Sequence, residues 1–332
     1  MSYNPARDET AEFVMQASAL AHPNIALVKY WGKRNAAKNL PAVGSLSVTL
    51  DTLHTRMTVE FRADGEDSLV VNGAEAPGMM DRVARCLDQV AGLGRLPAAV
   101  TSEGNFPIGA GLASSASAFA ALVIAANTAA DCGHDRLALA RLAGAASGSA
   151  ARSLYGGLVE LDVCGEQIDL VQIAGANDWP LRVVVAITDD KAKPVGSGEG
   201  MIRSAKTSPF YMSWCVRQEE DLAAAREAVA SRNFALLGEV AERNCLKMHS
   251  VMWSSRPPLV YWNTATIACM ETVHALRADG HAVFFTIDAG PQVKVVCLPE
   301  SVPMVVEVIK ETPGVQTTIV TGIGDGARVV AS

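Results

Sequence analysis

Apolar and polar positions alternate along this chain with two different periods, and the changes of period divide it into elements. Residues 16–62 read as strands: QASALAHPNIALVKYW, a polar connector GKRNAAKNLPAVG, and then SLSVTLDTLHTRMTVEF, which is rich in β-formers. DGEDSLVVNGAEA predicts a turn, a short strand and a second turn. In DRVARCLDQVAGL the apolar residues Val83, Cys86, Leu87 and Val90 fall at helical spacing. A Pro/Gly/Ser loop after residue 105 leads into an Ala-rich helix, ASAFAALVIAANTAA, and 135–155 is again helical sequence built of small residues. GGLVELDVCGEQIDL returns to strand and turn, and LRVVVAIT is a strongly apolar strand. EEDLAAAREAVASR, FALLGEVAERNCLKMHSVM and WNTATIACMETVHALRAD then read as helices. HAVFFTIDAGPQVKVVCL follows as strand–turn–strand, PMVVEVIKE as a helix and TTIVTGI as a last strand. The mixture predicts an α+β or mixed α/β protein.

Length divides this pattern further. At 332 residues the chain exceeds the size at which one core usually stops growing, so two domains are expected, with the division near 185–195: residues 1–188 and 189–332. Hydrophobic residues are 49% and charged residues 19%, enough apolar surface for a core and far from a disordered composition. The net charge of −7 disfavours nucleic acid and membrane surfaces as partners, although a local phosphate site remains open. The seven cysteines are scattered, odd in number and without a CxxC pair, which predicts reduced thiols, a cytoplasmic location and no zinc site. No apolar run approaches the roughly 20 residues of a membrane span, and the charged N-terminus has no signal-peptide core. No tandem repeat or low-complexity segment is present.

Four segments carry candidate chemistry. In NFPIGAGLASSASAFAALV, Pro107, Gly109 and Gly111 form a loop, and Ser114, Ser115 and Ser117 stand at the start of a helix. A helix N-terminus offers unpaired N–H groups to an anion, so the segment reads either as a phosphate cradle or as a plain Gly/Ser cap on a buried helix. In Asn24-Ile-Ala-Leu-Val-Lys-Tyr-Trp-Gly-Lys33, a strand would place Lys29 on one face with Ile25, Leu27 and Trp31. Such a lysine either finds a partner or snorkels to solvent. In 147–157, Ser147, Ser149 and Arg152 precede a Gly-Gly break and could grip an oxyanion, or form a helix end with its arginine in water. Asp288 ends an apolar strand and opens an Ala-Gly-Pro turn, either as a functional carboxylate or as an Asx turn.

P-x-x-x-G-L-x-S-S-A-S over 107–117 resembles the ATP-binding loop of the GHMP kinase superfamily. That implies a two-domain GHMP-kinase-like α+β fold, with a ribosomal-protein-like N-terminal domain, a C-terminal α/β sandwich and the active site in the cleft between them. It also implies that Pro107, Gly109, Ala110, Gly111, Leu112, Ala113, Ser114, Ser115 and Ser117 bind ATP, with Mg2+ shared by ATP oxygens and Ser114. Three further runs resemble the mevalonate diphosphate decarboxylases: N-I-A-x-x-K-Y-W-G-K at 24–33, S-G-S-A-A-R-S-L-Y-G-G at 147–157 and T-x-D-A-G-P at 286–291. The resemblance implies Asp288 as catalytic base, Lys29 as its partner and Arg152 as holder of the substrate carboxylate. It implies substrate contacts at Asn24, Tyr30, Trp31, Gly32, Lys33, Arg82, Ser147, Gly148, Ser149, Ala150, Ala151, Ser197 and Gly198. R-P-P-L-V-Y-W-N (256–263) and IVTGIGDG also follow that family, so the resemblance spans nearly the whole chain. Three positions depart from it: Ala151 stands where the family motif has Cys, Gln292 where the family usually has Asn, and Gly198 where it often has Thr or Arg. The implied reaction is ATP-dependent decarboxylation of mevalonate 5-diphosphate by a homodimer. The 5-monophosphate as substrate, a kinase without decarboxylation and a non-catalytic ligand sensor are the alternatives.

Overall fold

The computed structural model describes residues 15–106, 114–191 and 193–331. The first part of the chain runs β1 (Met15–Ala21), β2 (Asn24–Val28), β3 (Lys33–Asn35), β4 (Leu40–Pro41), β5 (Ser45–Thr49), β6 (Thr55–Phe61), β7 (Ser68–Val71), β8 (Ala74–Glu75), α1 (Pro77–Ala91), β9 (Ala98–Gly104), α2 (Ser114–Ala129), α3 (Arg136–Ala146), α4 (Ala150–Ser153), β10 (Leu158–Cys164) and β11 (Gln167–Ala174). The second runs β12 (Arg182–Ile187), α5 (Ser197–Thr207), α6 (Tyr211–Ala230), α7 (Phe234–Trp253), α8 (Thr264–Ala278), β13 (Val283–Ile287), β14 (Val293–Cys297), a 3-10 turn, α9 (Val302–Glu311), β15 (Thr317–Thr321) and β16 (Arg328–Val330).

The first sheet has the order β16-β1-β6-β9-β7-β8. On β6 the residues Thr55, Met57, Val59 and Phe61 are buried while their neighbours are only partly so, the period of a sheet with one face on a core. That face receives α2, which is apolar on every side because it lies between the sheet and α3 and α4. The Asn72-Gly73 pair of the β7–β8 hairpin has positive φ at both residues, the geometry that makes Asn-Gly the preferred two-residue turn.

The second sheet, β11-β10-β5-β2, is sandwiched between that core and a second one, which takes Leu222, Ala225, Leu237 and Val240 from α6 and α7 and Val183, Val185 and Phe284 from the third sheet. The two parts of the chain therefore share apolar packing behind the site. The third sheet, β13-β14-β12-β15, is covered on its far face by α8 and α9. Its strands β13 and β14 are buried along their whole length, which is why they read as predominantly apolar runs, interrupted only by Thr286 and Lys294. β12, which a division at 188/189 leaves with the first part, pairs with β14 and β15, while β16 returns to pair with β1. No helix among the described residues is long and apolar enough to cross a membrane.

Two local readings need correction. The strand carrying Asn24 ends at Val28 with a register shift between Ala26 and Val28, so Lys29 lies just past it rather than on an extended face. The polar connector contains the β3–β4 hairpin. The Val-Gly-Ser-Gly-Glu-Gly stretch opens α5, and a Cβ on its Gly200 would lie 3.0 Å from the Trp31 ring, tighter than an ordinary contact, so glycine eases the approach of the helix.

Candidate active site

Two chain segments meet at the centre of a cleft of about 940 Å³ lined from both parts of the chain. One is the exit of β2, which carries Lys29. The other is the Asp288-Ala-Gly turn that leaves β13, closed by a hydrogen bond from the Gly290 N–H to the Asp288 carbonyl at 2.8 Å. The Thr286 hydroxyl donates to the Ala26 carbonyl at 3.3 Å and ties the two strands together just before they end. Lys29 Nζ then donates to Asp288 Oδ1 at 2.7 Å. A second ammonium, Lys294 Nζ on β14, lies 3.3 Å from Asp288 Oδ2. Both lysine side chains are buried, whereas the Asp288 side chain keeps 26% exposure toward the cleft.

The electrostatics follow from this arrangement. Burial alone would raise the Asp288 carboxyl, but Lys29 and Lys294, through charge and hydrogen bond, hold it well below the usual carboxylate range. Burial also pulls Lys294 downward, and Asp288 opposes that shift. The result is an ionised carboxylate, partly open to a ligand, that can accept a proton.

Arg152 on α4 is 2% exposed, and no carboxylate pairs with it among the described residues. Its Nη1 donates to Ser45 Oγ at 2.7 Å, and its Nε to Ser47 Oγ at 3.0 Å and Asn24 Oδ1 at 3.3 Å. Asn24 Nδ2 in turn donates to the Ser149 carbonyl at 2.9 Å and to Ser153 Oγ at 2.8 Å. Burial lowers Arg152 to about 10, so the guanidinium stays charged at neutral pH, with neutral oxygens on one side and the cleft on the other. The Tyr30 ring faces it at 6.0 Å, its own hydroxyl pushed up by burial to about 12.

The rim is different in character. Lys33 begins β3 and makes no ion pair among the described residues; burial and then the neighbouring Arg82 lower its pKa. Arg82 on α1 donates from Nε and Nη2 to the Ala146 carbonyl at 2.9 and 2.7 Å, with its guanidinium 4.4 Å above the Phe119 ring. Ser147 donates to Ser115 Oγ at 3.1 Å, joining the α4 segment to the start of α2, where Ser114 also lines the cleft. Ser197 and Gly198 open α5 on the opposite wall, and Lys193 Nζ reaches Ser197 Oγ at 3.3 Å and the Ala289 carbonyl at 3.0 Å. Among the described charged residues lining the cleft, Lys29, Lys33, Arg82, Arg85, Arg152 and Lys193 are cationic and Asp288 alone is acidic. This is a strong local reversal in a chain of net charge −7, and it suits a polyanionic ligand.

Residues 21–170 match the family model described as diphosphomevalonate decarboxylase-like N-terminal domain, and residues 183–329 match that described as mevalonate 5-diphosphate decarboxylase C-terminal domain. The chain belongs to the diphosphomevalonate decarboxylase family. It is 35% identical over 332 residues to the diphosphomevalonate decarboxylase of Aspergillus fumigatus, covering 92% of this chain and 82% of that one. To the Bos taurus diphosphomevalonate decarboxylase it is 34% identical, with 90% and 81% covered. Among solved structures it is similar to the mevalonate diphosphate decarboxylase from Staphylococcus aureus, with a TM-score of 0.90, 34% identity and 96% and 98% of the two chains covered. The enzyme from Enterococcus faecalis, described with a mevalonate diphosphate mediated ATP binding mechanism, gives 0.88, 34%, 96% and 100%. A structure described as MDDEF in complex with MVAPP, AMPPCP and magnesium gives the same four values.

Not every residue implied by the family resemblance reaches the cleft. Asn24, Tyr30, Trp31, Lys33, Gly148 and Ser149 line it, together with the residues described above. Ser117 does not: it is fully buried, with its hydroxyl bonded to Thr55 Oγ1 at 2.7 Å and to the Ser114 carbonyl at 3.2 Å. Ala150 and Ala151 are fully buried behind the wall. Gly32 shapes the site through its backbone, since at φ 106° a Cβ there would lie 2.2 Å from the Tyr211 hydroxyl oxygen. Gly148 is constrained likewise, a Cβ falling 2.4 Å from the Tyr30 oxygen. Pro107, Gly109, Ala110, Gly111, Leu112 and Ala113 lie outside the described residues. Gln292, the departure from Asn, is fully buried and accepts from the Thr188 N–H at 2.7 Å through Oε1, while its amide N–H donates to the Asp189 carbonyl.

Sequence reasoning missed Lys294, Lys193, Arg85, Ser45 and Ser47. Lys294 had a readable signal, a lysine inside the otherwise apolar run VKVVC six positions after Asp288. The serines had none, because hydroxyls on a β-rich strand are commonplace.

Proposed function

We propose that this chain uses ATP to decarboxylate mevalonate 5-diphosphate, forming isopentenyl diphosphate, ADP, phosphate and CO2. The observation that carries the reading is the ionised Asp288 held between Lys29 and Lys294 in a cleft whose other charged walls are cationic. Asp288 accepts the proton of the tertiary C3 hydroxyl as that oxygen attacks the γ-phosphorus of ATP and ADP departs. The hydroxyl, a poor leaving group, becomes a phosphate ester, a good one. The C3–O bond breaks with its electron pair on phosphate, the C1–C2 pair becomes the C2–C3 double bond, and C1 leaves as CO2. Lys29 keeps Asp288 ionised and stabilises the charge that develops on the attacking oxygen. Arg152, pre-aligned by Ser45, Ser47 and Asn24, holds the substrate carboxylate so that the C1–C2 bond breaks in an aligned geometry. Lys33, Tyr30, Arg82, Ser147 and Ser149 hold the 5-diphosphate. The start of α2 receives the ATP phosphates.

The donor set fits Mg2+ that arrives on phosphate oxygens: no cluster of His, Cys, Asp or Glu able to hold a metal is present among the described residues, while Ser114 and Ser115 offer hydroxyls at the cleft wall. Mg2+ supplies neutralisation of the ATP phosphate charge when bound, and Ser114 is the residue we assign to it.

We assign the protein to the cytoplasm as a homodimer. The seven cysteines are free, as suits a reducing compartment, and Phe210, Met212 and Val216 expose apolar surface beside α6 that a second copy could cover. A monomer mass in sedimentation would overturn the dimer.

A coupled assay with ATP and Mg2+ tests the central reading by measuring ADP and CO2 from mevalonate 5-diphosphate and from the 5-monophosphate separately. Equal ADP and CO2 from the diphosphate, with little from the monophosphate, is the expected result. ADP without CO2 would reduce the protein to a kinase.

A further inference from the structure

Lys29 belongs to the first part of the chain, yet the groups that hold its backbone come from the second. β2 is the outer strand of its sheet and has β5 on one side only. Beyond the register shift that ends the strand, the Lys29 N–H and C=O have no strand beside them, and an unpaired buried backbone group is costly. Two side-chain amides take the strand's place. The Lys29 N–H donates to Asn244 Oδ1 on α7 at 2.7 Å, and the Lys29 carbonyl accepts from Gln218 Nε2 on α6 at 2.7 Å. Gln218 Nε2 also donates to the Gly44 carbonyl at 3.1 Å. Asn244 Nδ2 donates to Gln218 Oε1 at 3.0 Å and to Asp221 Oδ2 at 2.7 Å. Asp221, itself buried, accepts from Lys247 Nζ at 2.9 and 2.8 Å.

Both N–H groups of each amide are thereby used, and each amide oxygen accepts one hydrogen bond. Each side chain has one orientation, because turning either amide over would set oxygen against oxygen and N–H against N–H. Asn244 and Gln218 are 0% and 2% exposed, so water does not substitute for a lost partner.

We infer that Gln218 and Asn244 are positioning residues, a side-chain substitute for a β-strand that fixes the main chain of Lys29 so that its ammonium meets Asp288. The inference rests on the catalytic assignment of Lys29 and Asp288 and adds a specific debt of α6 and α7 to the reaction. Neither amide touches the cleft. Their loss acts on the chemical step through Lys29, where a displacement of about 1 Å can cost roughly 100-fold in rate.

The test uses the full chain with Asn244→Ala and Gln218→Met, each alone and combined with Lys29→Met, and measures kcat and KM for both substrates alongside thermal unfolding. We expect each single amide variant to lower kcat by about 10- to 100-fold with KM changed by less than about twofold, and the same variant to add less than about twofold on top of Lys29→Met. A general structural role predicts a lowered unfolding temperature with kcat retained in the folded fraction, or losses that multiply with that of Lys29→Met; either outcome overturns the inference. If Asn244→Ala does not fold, Gln218→Met carries the comparison, and if neither folds the pair serves the whole fold and the inference falls. Near-normal turnover in Lys29→Met alone would instead overturn the catalytic assignment of Lys29, which separates the two failures.

Discussion

The centre of the cleft and its rim both gather cations, but they solve opposite problems. At the centre, Lys29 and Lys294 are buried and already paired with Asp288, and Arg152 is buried against three neutral oxygens. At the rim, Arg82 and Arg85 are exposed and Lys33 is half-buried, and none pairs with a carboxylate among the described residues. A buried charge must be compensated before any ligand arrives, so the charges at the centre are already ion-paired or hydrogen-bonded within the protein. A rim charge is compensated by water until an anion displaces it. Changes at the centre should therefore fall on the chemical step and on folding, and changes at the rim on binding.

The largest effect expected is at Asp288. Asp288→Asn keeps the shape of the side chain but removes both the proton acceptor and the charge between two buried lysines. We expect kcat to fall by about 10²- to 10⁴-fold, with ADP and CO2 falling together, in a coupled assay that follows both. Near-normal turnover would mean that the base lies elsewhere.

Arg152→Lys comes next. A lysine keeps the charge and loses the planar fork that three oxygens now orient. A drop of roughly 100-fold in kcat/KM is expected from the lost alignment, and an effect within twofold would remove Arg152 from the carboxylate-binding role. Lys33→Ala and Arg82→Ala should act differently. Each should raise KM for the phosphorylated substrate by about 10-fold, the scale of one charge-assisted hydrogen bond, leave kcat nearly unchanged, and lose part of its effect as salt is raised. If either lowered kcat as much as Arg152→Lys does, the contrast between centre and rim would collapse.

The same contrast explains what could be read in the sequence. The three motif runs are contiguous, so Lys29, Arg152 and Asp288 were legible one segment at a time through their resemblance to the family, whereas the residues alone left a snorkelling lysine, a solvent-facing arginine and an Asx turn open. The strands β13 and β14 and the Ala-rich α2 were legible because burial on all sides leaves a predominantly apolar run. What escaped is what distant segments decide together. Gln218 and Asn244 stand on separate helices and meet Lys29 only once α6 and α7 cover the open edge of β2. Lys294 is ordinary until its strand is buried beside Asp288. The helix α5 has glycines at three of its first positions or at its cap, and its first turn shows no apolar period; packing on Trp31 and Tyr261 supports it rather than propensity.

The smallest effect expected concerns stability rather than rate, and it extends the contrast behind the centre. His249 on α7 is fully buried between Trp253, Trp262 and the Ile287 carbonyl, next to the Asp288 turn. Burial lowers it from 6.5 to about 3, with the nearby Lys29 and Lys294 acting in the same direction. The unfolded chain takes up a proton on this ring near pH 6.5, while the native ring stays neutral until about pH 3. Across that window the unfolded state binds more protons, so this contribution to stability is fully present above pH 6.5 and is lost as pH falls toward 3. Its slope is at most about 1.4 kcal/mol per pH unit. His22 is lowered in the same sense, chiefly by burial, so the wild-type slope is shared. Urea unfolding of wild type and His249→Gln between pH 7 and pH 4.5 isolates the difference: the variant is expected to be less stable at pH 7 but to lose stability less steeply as pH falls. Parallel pH profiles would show that His249 titrates alike in both states, and that burial behind the centre does not hold this ring neutral.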